Sequence, residues 1–248
     1  MHSTLVRLQN VFGFFTSVVF ALAVAIGCSV VLSPQTPSAT LELSNVQVVR
    51  GRPHYYSTKR EEYAYIKFDL DADLTSLFNW NTKQTFLYIV ASYPSSQPAT
   101  IPPSESVVWD AIIPAEHAPW HPNTWIHPTD ASTGKKAPRS TKQRPGRAYP
   151  ADAAPGIVRL AGQKPKYQIT DVSGLMAQRG NATLSLRWNV QPWVGALVWT
   201  NRRAVGRWAG LAGGEARFAF PALKGSETVK KDDLKTETGA ERNRGSPA

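Results

Sequence analysis

The chain has 248 residues, 42% hydrophobic and 19% charged, with a formal net charge of +10 and a single cysteine. One cysteine excludes an intrachain disulfide framework, so any domain must be held together by burial of its core. The length leaves room for one substantial soluble domain.

In chain order, a short polar N-terminus (residues 1–10) precedes an uncharged run from Val11 to Leu32. As a helix, 22 residues reach roughly 33 Å, enough for a hydrocarbon core of about 30 Å. A helix also pairs all of its backbone groups internally, as lipid demands. Arg7 stands before the run, and the next cation after it is Arg50. That bias leaves the N-terminus cytosolic and sends residues 33–223 across the membrane. Two cleaved readings compete with a retained anchor. The small residues Ala21, Ala23, Ala25 and Gly27 suit a signal-peptide cleavage site, and Ala25-Ile26-Gly27-Cys28 loosely matches a lipoprotein box.

From Leu41 to Pro221 the dominant period is two. Ala64, Ile66, Phe68 and Leu70 alternate with Tyr63, Tyr65, Lys67 and Asp69; Leu184, Leu186, Trp188 and Val190 alternate with Thr183, Ser185, Arg187 and Asn189. Each pattern predicts a strand with one buried and one wet face. Further strands are expected at Leu41–Val49, Thr85–Tyr93, Ser106–Ile113, Tyr167–Ile169, Gly195–Trp199 and Arg217–Phe220, with a helical turn over Leu74–Phe78 capped by Asp73. The fold class is mainly β: one transmembrane helix, then an antiparallel sandwich-like domain.

Residues 131–166 carry nine cations against one acid, Asp152, and are dense in Pro, Gly, Ser and Ala. Burial there cannot repay the ordering entropy, so a disordered basic insert is expected. The mixed-charge tail over 224–248 is expected to be disordered too. Because the positive charge sits in that insert, on a domain placed outside the cytosol, it does not point to nucleic acid.

Chemical motifs are sparse. Asn181-Ala182-Thr183 is a glycosylation sequon behind Gly180. His117, His121 and His127 lie in a loop stiffened by Pro119, Pro122 and Pro128, and read as surface histidines rather than a zinc site. No nucleophile elbow, zinc-protease helix or phosphate-cradling loop occurs. No catalytic, metal or cofactor-binding residue is assigned. Asn79, Trp80, Asn81, Lys83 and Gln84 follow a turn and are too polar for a core strand, which makes them candidates for a partner contact. Trp109 and Trp188 read as core residues.

Three strings carry more information than composition does: Phe68-Asp69-Leu70-Asp71-Ala72-Asp73-Leu74 followed by Leu77-Phe78-Asn79-Trp80-Asn81-Thr82-Lys83-Gln84; Val107-Val108-Trp109-Asp110-Ala111-Ile112-Ile113; and the sequon running into Leu184-Ser185-Leu186-Arg187-Trp188-Asn189-Val190-Gln191-Pro192 and Gly195. In this order behind one apolar helix, the chain resembles the subunit 3 family of the eukaryotic signal peptidase complex. The resemblance runs to about Pro221 and departs at roughly Pro114–Lys166 and in the tail. It implies a single-pass type II protein of the endoplasmic reticulum membrane with its domain in the lumen, glycosylated at Asn181. It also implies a noncatalytic accessory role in signal-peptide removal, with the catalytic subunit, smaller membrane subunits and the lipid bilayer as partners and no cofactor. The competing class is an anchored ectodomain with its own hydrolase or ligand-binding activity.

Overall fold

The computed structural model describes residues 3–98, 100–115, 125–126 and 154–224. Helix α1 spans Thr4–Leu32 and starts seven residues before the uncharged run, so Arg7 lies inside it. Its first turn is capped by the Ser3 hydroxyl, which accepts from Val6 N–H at 3.4 Å. Hydroxyls within the run bond to the helix itself: Thr16 and Ser17 both donate to the Gly13 carbonyl, and Ser29 donates to that of Ile26. No side-chain hydroxyl between Val11 and Leu32 therefore needs water. The helix is long and apolar enough to cross a membrane.

Ten strands follow among the described residues: β1 (Ser38–Gly51), β2 (Glu61–Asp73), β3 (Thr82–Tyr93), β4 (Ser104–Pro114), β5 (Trp125–Ile126), β6 (Ile157–Gln163), β7 (Ala182–Pro192), β8 (Val198–Trp199), β9 (Ala212–Gly213) and β10 (Glu215–Phe218). They form two sheets, one ordered β5-β6-β2-β1-β9 and the other β10-β7-β3-β4 with β8 on β7. The long pairings are antiparallel, as the alternating sequence predicts. Two short edge pairings, β1–β9 and β5–β6, are parallel.

The inner faces interlock as the period of two requires. Ala64, Ile66, Phe68, Leu70 and Ala72 of β2 are buried, as are Leu87, Ile89 and Ala91 of β3 and Leu184, Leu186 and Trp188 of β7. Phe68 meets Trp109 edge-to-face across the core, with ring centroids 6.0 Å apart. The chain then passes between sheets at Gly213 and Gly214, both at positive φ. A Cβ on Gly213 would stand 2.2 Å from the Ala39 carbonyl oxygen. Glycine is what lets β9 pair with β1 and β10 pair with β7 two residues later.

Several expectations change. The stretch 154–166, read from composition as disordered, contains β6. Its Val158 and Leu160 are buried against β2, Arg159 pairs with Asp71 at 3.5 Å, and Lys166 pairs with Asp110 at 3.1 Å. Two of the three cations in this stretch, Arg159 and Lys166, are thus matched by acids on β2 and β4. The rest of that insert (131–153), His117, His121 and His127, and the tail beyond Lys224 lie outside the described residues. Tyr167–Ile169 is not a strand: Lys166 and Tyr167 N–H donate to Val108 of one sheet, while Ile169 exchanges bonds with Ala64 of the other. A segment that changes partner within three residues builds no ladder. The helical turn is a single 3-10 turn over Thr75–Leu77, with Asp73 accepting from Thr75 N–H at 3.0 Å. On β7 the outer face is not wet throughout, since Ser185 and Asn189 are buried. The chain after β8 lines an open cleft with Tyr88 and Arg187 on that side.

Candidate functional site: the face at the end of α1

The polar string after the 3-10 turn folds into a tight knot. Thr82 Oγ1 donates to the Leu77 carbonyl at 2.9 Å, Asn79 N–H donates to Thr82 Oγ1, and Asn81 N–H donates to the Asn79 side-chain oxygen. Asn81 is 1% exposed. Its amide donates to the Val194 carbonyl at 2.7 Å and accepts from Val194 N–H at 3.1 Å. Its own carbonyl takes the Trp193 N–H at 2.8 Å. Nearby, the side chain of Gln84 donates to that of Gln191 at 2.6 Å. The two sequence strings therefore recognise each other: the first clamps the chain that leaves the second.

This arrangement sorts the five candidate contact residues. Asn81 is buried and holds the fold, so it is withdrawn as a partner contact. Asn79 is half-buried in that network, and Gln84 is half-buried in its separate bond to Gln191. Trp80, 62% exposed, and Lys83 remain on the surface. The Lys83 ammonium lies 5.3 Å from the centre of the Trp193 ring.

The end of α1 packs beside this knot. Gly27, Val30, Val31 and Gln35 share a cavity of about 140 Å³ with Asn79, Pro192 and Gly195 among others. Trp208 Nε1–H donates to the Ser33 carbonyl at 3.1 Å, Gln35 N–H to that of Arg207 at 3.2 Å, and Ala209 N–H to that of Gln35 at 2.7 Å. Sequence reasoning passed over Trp208, whose only prior signal was an indole amid Gly and Arg.

Asn181 sits at φ +55° at the mouth of β7, exposed. Asn tolerates that conformation better than most residues. Elsewhere, Glu62 is buried and accepts the N–H groups of Met176 (2.7 Å) and Ala177 (2.9 Å). Burial alone would raise its pKa. Those two bonds, with the charges of Arg50 and Arg179, hold it below the usual carboxylate range. Asp171 follows the same logic. Its burial is outweighed by the Ser173 hydroxyl and by Arg179, whose guanidinium lies 2.8 Å away. Both acids anchor the loop before β7 rather than face a cleft. Among the described residues no cluster of three or more His, Cys, Asp or Glu suits a metal.

The family model described as signal peptidase subunit matches residues 1–123 and 151–207, taking in α1, the Asn79–Gln84 knot, the sequon and the chain up to Arg207. The chain belongs to the signal peptidase subunit family. Similar proteins called signal peptidase complex subunit 3 include one from Yarrowia lipolytica, 28% identical over 209 residues, which are 80% of this chain and 91% of that one. The Saccharomyces cerevisiae protein of that name is 32% identical over 160 residues, 63% of each chain. The human one is 29% identical over 113 residues, 46% of this chain and 61% of its own. The signal peptidase subunit match resumes at residue 151, so β6 belongs to the shared domain. The departure expected over Pro114–Lys166 narrows to residues 124–150.

Proposed function

We propose that the chain is a noncatalytic accessory subunit of a signal peptidase complex. In this reading α1 anchors it in the endoplasmic reticulum membrane with the N-terminus cytosolic, the β domain lies in the lumen, and Asn181 carries a glycan. A separate catalytic subunit cleaves signal peptides, and this chain supports that cleavage beside smaller membrane subunits. The observation that carries the reading is that one family match takes in the apolar helix and the domain docked on its end together. Arg7 and the cation-free stretch after Leu32 favour the orientation. The exposed turn at Asn181 offers a sequon that an oligosaccharide can reach. Trp80 and Lys83 are the exposed members of the candidate contact and are assigned to a partner subunit.

The test uses tagged full-length protein in sealed microsomes. A glycan removable by endoglycosidase and absent from N181Q, protease protection of the C-terminal domain, and co-purification with a signal peptidase are expected. Purified alone the chain should leave signal-peptide substrates intact, and cleavage should return with its partners. Cleavage by the isolated chain, or a domain open to protease from the cytosolic side, overturns the reading.

A further inference from the structure

The loop Trp193-Val194-Gly195-Ala196-Leu197-Val198-Trp199 contains no charged side chain and no polar side-chain atom but the two indole N–H groups, yet Trp193 is 53%, Leu197 52% and Trp199 59% exposed. A contiguous exposed apolar patch marks an interaction surface. Its height along α1 indicates which kind. Gly195, at φ +117°, lies so close to the helix that a Cβ there would stand 3.4 Å from Gly27 Cα. Gly27 is five residues before the end of α1, roughly 7 Å along its axis. The tip of the loop therefore lies beside the last turn and a half of the helix rather than beyond it. An uncharged run ending at Leu32 puts that level at the edge of the hydrocarbon core.

The surroundings hold the side chains that a membrane interface collects. Trp193 and Trp199 flank the apolar tip, and the exposed Lys83 lies 5.3 Å from the Trp193 ring. The exposed Arg203 and Arg207 stand on the segment whose Arg207 carbonyl takes the Gln35 N–H just past the helix end. Tryptophans favour the headgroup level, and long cationic side chains reach outward to phosphates. The loop cannot swing away freely. Asn81 grips Val194 on one side, and the Ser33–Gln35 segment is bonded to Arg207, Trp208 and Ala209 on the other.

We propose that the Trp193–Trp199 loop dips into the interfacial layer of the same bilayer that α1 spans, seating the domain on lipid, with Arg203 and Arg207 at the headgroup phosphates. This rests on the reading of α1 as a membrane anchor. Lipid is favoured over another protein's membrane helix as the occupant. Helix association in a bilayer uses small residues at close approach, and here that device is already used internally, between Gly27 and Gly195. Large aromatic and branched side chains projecting from a loop suit the disordered interfacial layer instead.

The experiment places single nitroxide labels on the full-length chain in a C28A background, reconstituted in vesicles of phosphatidylcholine with phosphatidylserine. The labelled variants are F20C in the helix, L197C at the loop, and Y55C in the connection after β1, which runs 14 residues away from Ser38 beside the helix end. Accessibility to dissolved oxygen and to a water-soluble nickel complex is read by power saturation. The expected result is high oxygen and low nickel accessibility at 20, the same preference to a lesser degree at 197, and the reverse at 55. A lipid signature at 20 with an aqueous one at 197 overturns the loop proposal alone. Protection of 197 from both reagents overturns it in favour of a protein contact. An aqueous signature at 20 overturns the anchor reading and the proposal with it.

Discussion

Asn81 and Val194, 113 positions apart in sequence, hold each other by two opposed hydrogen bonds: the Asn81 amide donates at 2.7 Å and its carbonyl oxygen accepts at 3.1 Å. A buried side-chain amide that imitates a strand partner satisfies both backbone groups of a residue that leaves its ladder. Removing it strands both.

Asn81→Ala is expected to destabilise the domain by about 2 kcal/mol, the cost of leaving buried backbone groups unpaired. Trp80→Ala, one residue away and exposed, should change stability by no more than about 0.5 kcal/mol. Thermal melting of both variants in detergent checks the contrast. Co-purification checks the other half, since Trp80→Ala should weaken recovery of partner subunits while melting normally.

Gly27→Leu should wedge the loop off the helix without harming the apolar character of α1. Hydrogen exchange of the amides over 193–199 is expected to quicken, while those of β2 and β3 keep their protection. Gly195→Ala adds backbone strain at a positive φ and should cost about 1–3 kcal/mol. Unchanged exchange in Gly27→Leu would mean that the helix and loop do not support each other.

The core offers a larger effect. Trp109 is fully buried and packs edge-to-face on Phe68 between the sheets. Trp109→Ala should cost about 3–5 kcal/mol, enough to lower the yield of folded protein. Urea denaturation followed by circular dichroism gives the number.

Acid should weaken the loop before β7 first. Glu62 and Asp171 both titrate below the ordinary carboxylate range in the folded chain. Between that lowered value and the ordinary one, the unfolded chain binds more protons, so stability rises with pH through this window. It is fully present above the ordinary range and is lost as pH falls through the folded value. Glu62→Gln should be less stable than the parent at neutral pH by about 1–2 kcal/mol, and the gap should close in acid. Melting temperature against pH, for parent and variant, measures both.

Alternation made the long strands legible. Four apolar residues at spacing two in β2 and in β7 name the buried face of each, because a pleated strand has only two sides. Burial of Trp188 followed from the same logic, whereas Trp109 was legible only as a large aromatic, since Val108 beside it is buried too where the β3–β4 register shifts. What sequence could not supply was everything decided at a distance. β6 was hidden because Ile157, Val158 and Leu160 are diluted by nearby cations, whose acidic partners Asp71 and Asp110 lie on other strands. Asn81 looked like a surface residue because its composition is polar. Only the fold brings Val194 to it, and a buried amide with both bonds made reads in sequence like a solvated one. The sequence predicts a strand over Gly195–Trp199 because its residues suit one. Only Val198 and Trp199 pair with β7, since the stretch before them is turned toward α1.

The indole of Trp208 bonded to the Ser33 carbonyl has a mechanical meaning. A membrane tether usually leaves its cargo free to swivel, and a neighbour gripping such a stalk learns nothing about where the cargo points. Here the stalk and the cargo are cross-braced at the joint. Whichever neighbour fixes the rotation of the helix also sets the bearing of the far end of β1.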